Sequence, residues 1–134
     1  MKKIILNGCF DILHLGHINL LRFAKATPNS FVYVLIDSDQ RIKKIKGQER
    51  PIFNEYERAS MLFNLKTVDR VDIFETEEEM LDLMKAYKPD IMIKGGDYEG
   101  KEIVGSDLVE KIIFFPRMEK YSTTNIIKRI KKDA

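Results

Sequence analysis

The chain is short of what several functional classes require. It holds one cysteine in 134 residues, so no intramolecular disulfide forms and nothing hints at secretion. It holds two histidines, and with Cys9 lying beside a strand they do not complete a tetrahedral metal site. Charge of either sign is not in excess: 23 Lys and Arg against 21 Asp and Glu leave +2, too little to argue for nucleic acid or a membrane surface. No apolar run approaches membrane-spanning length. Met1-Lys2-Lys3 before apolar residues imitates a secretion signal, but the run is short and Asp11 interrupts it, so a cytoplasmic protein is expected. There is no internal repeat, no low-complexity tract and no linker rich in Pro, Gly or Ser, which predicts one domain over 1–134. Also missing are a Ser-His-Asp arrangement, a Cys-His pair with supporting spacing and a Walker-type loop. That last absence is informative. A reaction joining two phosphates takes its nucleophile from the substrate, and the protein need only position the reactants and neutralise charge.

What is present is a chain of alternating apolar patterns. Lys3 to Leu6, Phe31 to Ile36, Val71 to Phe74, Asp90 to Ile93 and Lys111 to Phe115 read as strands, the second a continuous run covered on both faces. Leu15 to Ala26 has helical spacing and stops before Pro28. Asn54 with Glu57 reads as a capping box opening a helix through Leu65, with Tyr56, Ala59, Met61 and Leu62 inward. Thr76 with Glu79 reads as another, burying Met80, Leu83, Met84 and Tyr87 before Pro89. Ser122-Thr123-Thr124 starts the last helix, with Ile126, Ile127 and Ile130 inward. Asp37 to Arg50, polar and rich in lysine, reads as a mobile loop. Strands alternating with helices predict a three-layer α/β/α sandwich on a mostly parallel five-stranded sheet. Its strand-to-helix loops share one rim, where such sheets bind ligands.

The chemistry-bearing residues fall in those loops. Asn7-Gly8-Cys9-Phe10-Asp11 leads from the first strand to His14-Leu15-Gly16-His17. Histidines three apart on a helical turn point to one side, at a helix N-terminus that favours anions. The pair can donate hydrogen bonds to a polyphosphate, and if protonated it adds charge where charge develops in transfer at phosphorus. The plain alternative is one exposed and one core histidine. Lys43, Lys44 and Lys46 precede Gly47 and Arg50-Pro51, either a solvated loop or a flap that carries a lysine over the phosphates. Lys94-Gly95-Gly96-Asp97 follows a strand directly; its glycines allow close backbone approach and its aspartate can accept from a sugar or base, unless it is only a turn. Ser122-Thr123-Thr124-Asn125 caps a helix with hydroxyls to spare for an anion, and Arg117 stands where it can reach the same anion.

These motifs, in this order, resemble the small nucleotidyltransferases related to the cytidylyltransferases, across almost the whole chain. Within that group, Lys46-Gly47-x-x-Arg50-Pro51, Ile93-Lys94-Gly95-Gly96-Asp97-Tyr98, Glu102-Ile103-Val104-Gly105-Ser106 and Ser122 to Ile127 are similar to heptose 1-phosphate adenylyltransferase domains of ADP-heptose synthases. Pro116-Arg117-Met118-Glu119 looks more like glycerol-3-phosphate cytidylyltransferases. The resemblance implies a Rossmann-like fold and transfer of AMP from ATP to a sugar 1-phosphate, with CTP and glycerol 3-phosphate as the other pair. It implies that His14 and His17 bind the triphosphate and stabilise the transition state, that Lys43 or Lys46 neutralises phosphate, and that Ser122, Thr123 and Thr124 hold phosphate oxygens. Gly8, Cys9, Phe10, Arg117 and Lys94 to Asp97 would surround the nucleotide, and Asp11, Arg50 and Arg58 would meet the substrate, Asp11 beside substrate or metal. It further implies Mg²⁺ accompanying the triphosphate and a homodimer. A non-catalytic nucleotide sensor and a nucleic-acid module are the competing readings. The histidine pair weighs against the first and the small net charge against the second.

Overall fold

The computed structural model describes residues 1–116 and 120–132. β1 (Lys2–Gly8) is central, flanked by β2 (Ser30–Asp37) and β4 (Ile91–Gly95), with β3 (Arg70–Phe74) and β5 (Lys111–Phe115) outside, in the order β3-β2-β1-β4-β5. Every pairing among these strands is parallel. The chain winds outward from β1 through β2 to β3, then crosses to the other side of β1 for β4. Order reverses between β1 and β4, and a crevice opens there at the carboxyl ends.

Two-residue alternation sorts the core into two layers. Ile4, Leu6, Val32, Val34, Ile36 and Ile93 face α1 (Leu15–Lys25) and α3 (Glu55–Phe63), which contribute Leu21, Ala24 and Leu62. Ile5, Tyr33, Leu35, Phe74 and Met92 face α4 (Glu77–Tyr87), which contributes Met80, Met84 and Tyr87, and Ile103 from the segment that follows. The three-layer α/β/α expectation is met. Among the described residues, no helix is long and apolar enough to cross a membrane.

The main correction concerns Asp37 to Arg50. This is not a loop but the end of β2 followed by α2 (Asp39–Lys46). Ser38 caps it, accepting from the Arg41 N–H at 3.1 Å, and Asp39 at the start and Lys43, Lys44 and Lys46 at the end complement the dipole. Gly47, at φ 105°, ends it. Only Ile42 is buried, so no apolar stripe announced the helix.

α3 keeps its predicted box: Asn54 accepts from the Glu57 N–H at 2.9 Å, and Glu57 accepts from the Asn54 N–H at 3.2 Å. Its inward face differs from expectation. Tyr56 and Met61 are exposed, and Arg58 is buried beside Leu62 four residues on. At α4, Thr76 caps Glu79, but the Glu79 carboxylate reaches the Glu75 N–H, one residue earlier than a box requires. α5 (Thr123–Lys132) leaves Ile126 and Ile127 half-buried and Ile130 65% exposed, so it rests on the rim rather than in the core.

Arg58 corrects the expectation that it meets substrate. It is 1% exposed and all its donor nitrogens are engaged. Nε donates to the Phe53 carbonyl at 2.9 Å, Nη1 to the carbonyls of Cys9 at 2.9 Å and Asp37 at 2.8 Å, and Nη2 to the Asp39 carboxylate at 2.8 Å. Arg58→Leu keeps bulk but strands three carbonyls and a carboxylate. The expected loss is about 3–5 kcal/mol, as for breaking other buried ionic pairs. Urea denaturation measures it; a loss below about 1 kcal/mol would mean these loops hold together without the guanidinium.

Candidate active site

After β1 the chain reverses sharply. Phe10 (φ 52°) and Ile12 (φ 53°) both take left-handed backbone, which is costly for a β-branched residue. The reversal turns Asp11 inward until it is 2% exposed. Its carboxylate accepts from the backbone N–H groups of Ile52 at 2.7 Å and Phe53 at 3.0 Å, with Arg50 Nε at 3.8 Å. Its carbonyl accepts the Thr123 hydroxyl at 2.5 Å. Asp11, expected beside substrate or metal, does line the crevice, while its carboxylate holds the 50–53 segment and its carbonyl anchors α5.

The histidines cap their own helix. His14 Nδ1 accepts from the Gly16 N–H at 3.1 Å and from the His17 backbone, and His17 Nδ1 accepts from the His14 N–H at 3.3 Å. The rings stack with centroids 3.8 Å apart, and Phe10 lies 5.1 Å from His17. A δ-nitrogen that accepts an N–H carries no proton, so each neutral ring bears its proton on Nε2. Burial lowers the His14 pKa. Burial, the neighbouring His14 and the Lys46 ammonium push His17 down to about 3. The motif works as two neutral, oriented N–H donors, and the helix-terminal N–H groups expected to grip an anion are taken by the rings. Gly16 is obligatory: a Cβ there would meet the His14 ring at 2.9 Å and Tyr121 Cβ at 3.3 Å.

The crevice has two lobes. One, of about 310 Å³, gathers His14, His17, Gly95, Asp97, Ser122, Thr123 and Thr124. The other, of about 390 Å³, gathers Asp37, Arg41, Glu77, Lys94, Glu102 and Ile103. Gly8, Cys9, Phe10, His17, Lys46, Arg50 and Tyr98 line both. Of the lysines proposed for the flap, Lys46 is the one brought to the crevice; Lys43 and Lys44 are not among the residues lining either lobe. Ser122 caps α5, accepting from the Asn125 N–H at 3.0 Å, and Thr123 anchors it, so both do structural work at the rim. Gly96 opens a short 3₁₀ turn and is not among the lining residues. A Cβ at Gly95 would meet the Asp97 carboxylate at 2.7 Å and displace it. Arg117 lies outside the described residues.

Sequence reasoning missed Asp37, Arg41 and Tyr98. Arg41, in the first turn of α2, pairs at 2.7 Å with Asp37 at the end of β2, a signal readable only once α2 is known to be a helix. Cys9 Sγ donates to Asp37 at 3.4 Å, and burial and that carboxylate raise the thiol to about 11, so it stays protonated and unreactive. The Lys94 ammonium lies 4.6 Å from the Tyr98 ring centre, and burial lowers its pKa. Among the described residues, no group of three or more His, Cys, Asp or Glu could hold a metal ion.

Residues 5–129 match the cytidylyltransferase-like family model. The bifunctional protein HldE of Nitratiruptor sp. is 46% identical over 131 residues, which is 97% of this chain and 28% of that protein. HldE of Campylobacter fetus is 48% identical over 125 residues, 93% of this chain and 27% of that protein. The chain thus spans a little over a quarter of the length of these curated relatives. The crystal structure of a lipopolysaccharide core biosynthesis protein from Thermoplasma volcanium is 30% identical and superposes with a TM-score of 0.66, covering 91% of this chain and 99% of that one.

Nitrogen-detected NMR of the imidazoles checks the proton assignment. Both rings should show the Nε2–H tautomer at pH 7, and His17 should remain neutral at pH 5. In Gly16→Ala the His14 ring is pushed off its N–H donors, and its pKa should rise toward 6.5. A folded pKa below the unfolded one means the unfolded chain binds the extra proton. Folding stability is therefore full above pH 6.5 and falls as pH drops from 6.5 toward 3. An Nδ1–H tautomer in either ring, or ordinary titration of His17, would contradict the geometry.

Proposed function

The chain belongs to the cytidylyltransferase-like family and is a nucleotidyltransferase, and from that premise we propose that it transfers AMP from ATP to a sugar 1-phosphate of the D-glycero-β-D-manno-heptose 1-phosphate kind. The observation that carries the proposal is the histidine pair, held as neutral Nε2–H donors in the lobe that also receives the start of α5. Such donors favour oxygens whose negative charge grows in the transition state, and being pre-oriented they need no reorganisation at the moment of reaction. The heptose acceptor is supported by relatives named HldE at 43–48% identity.

The step requires no protein nucleophile. An oxygen of the acceptor phosphate attacks the α-phosphorus in line; the new P–O bond forms as the α–β bridging P–O bond breaks, and pyrophosphate leaves with the electron pair. In this reading the lobe with His14, Asp97 and Thr124 takes the nucleotide and the lobe with Arg41 takes the acceptor. Lys46 and Arg50, lining both, offset charge where the two phosphates meet. The described carboxylates form no metal cage, and Asp11 is already committed, so Mg²⁺ would come bound to the triphosphate and offset its charge.

Pyrophosphate release tests this, with ATP or CTP against heptose 1-phosphate, other sugar 1-phosphates and glycerol 3-phosphate, all with Mg²⁺. ATP with the heptose should give the highest kcat/KM, and His17→Ala should lower kcat by about 10²–10³, the usual cost of losing one such donor. Preference for CTP with glycerol 3-phosphate would reassign the substrates. Tight nucleotide binding without turnover on any pair would make the chain a sensor.

A further inference from the structure

The glycine motif at the end of β4 was expected to surround the nucleoside as a unit, but the strand's own alternation divides it. Ile93 packs in the layer of α1 and α3, Met92 in the layer of α4. Continuing that period, Lys94 falls on the α4 side and Gly95 on the α1 side. The lobes obey the same division. Lys94 lines the lobe walled by Glu77 and Met80 of α4, while Gly95 and Asp97 line the lobe walled by Gly16 and Leu20 of α1. Tyr98 lines both, and the Lys94 ammonium lies against its ring at 4.6 Å.

Resting on the nucleotidyltransferase reading above, we propose that Lys94 binds the phosphate of the acceptor rather than the nucleotide, with Tyr98 as the partition between the two substrates. Charge in the Lys94 lobe points the same way. Arg41 there is paired with Asp37 at 2.7 Å and Arg50 Nε stands 3.8 Å from the Asp11 carboxylate, so Lys94 and Lys46 carry the positive charge offered to a ligand. Glu77 and Glu102 share the wall. A triphosphate with several negative charges is repelled by those carboxylates. A single phosphate on a hydroxyl-rich body suits both features, its phosphate on the ammonium and its hydroxyls donating to the carboxylates. Half-buried against an aromatic face, the ammonium has lost part of its hydration, and a phosphate oxygen replaces what burial removed.

Steady-state kinetics with ATP and D-glycero-β-D-manno-heptose 1-phosphate, on wild type, Lys94→Met and Lys94→Arg, tests the assignment. Lys94→Met should raise the acceptor KM at least tenfold and leave the ATP KM within twofold, and Lys94→Arg should recover part of the loss. A purely structural lysine would not produce that split. A rise in the ATP KM, an equal rise in both, or no change in either would overturn the assignment. Calorimetry of each ligand separately, with thermal melting to confirm folding, reads the same division without turnover. Should the wild type fail to turn over any pair, the reaction is refuted; the lysine assignment then stands only if the wild type binds the sugar phosphate and Lys94→Met abolishes that binding while keeping ATP.

Discussion

One buried guanidinium holds the working rim of this protein together. The ends of β1 and β2 and the lead-in to α3 turn carbonyls toward one another, and a buried carbonyl without a partner is costly. Arg58 satisfies three of them and the Asp39 carboxylate besides. Its planar fork fixes their relative directions as well as their distances. α2, which delivers Lys46, is thereby tied to the strand that delivers the histidine loop. Asp11 makes the complementary bond from the other side, gripping the 50–53 segment with its carboxylate and α5 with its carbonyl. Pieces of chain more than a hundred residues apart meet at the crevice because these two buried charged residues hold them there.

Within that frame, charge and hydrogen bonding are kept apart. The histidines are neutral because each spends a nitrogen on the backbone and because burial opposes their protonation, aided at His17 by His14 and Lys46. The positive charge sits on Lys46, Arg50 and Lys94 at the walls. Neutral donors with one rotational state suit an oxygen whose charge appears only during the reaction, whereas ammonium and guanidinium groups suit phosphates already charged when they arrive. Gly16 belongs to this arrangement: the His14 ring folds over it, and any side chain there pushes the ring away.

Much of this was readable from residue order. Continuous apolar runs marked the strands, whose alternation the structure sorts into two core layers. The Asn54–Glu57 box began α3, because capping is a bond between near neighbours. α2 escaped notice because it buries Ile42 alone, although Ser38 and Gly47 mark its ends. The resemblance placed Arg58 against the substrate, and nothing local says that four acceptors converge on it. The structural role of Asp11 escaped notice because its partners lie some forty residues away, at Ile52 and Phe53.

By itself, then, the order of residues determined the strands, the starts of every helix but α2, the five-stranded α/β class and the loops that carry chemistry. These depend on propensity, periodicity and capping, all of which act over a few positions. Tertiary structure alone decided which side chains reach a ligand and which are used up holding the site: Lys46 rather than Lys43, Lys94 on one lobe and Gly95 on the other, Arg58 withdrawn into the frame and Asp11 tied to it from the crevice wall. A long polar side chain takes its role from the nearest satisfying partner in space, and proximity of that kind exists only after the sheet has brought distant loops to one edge.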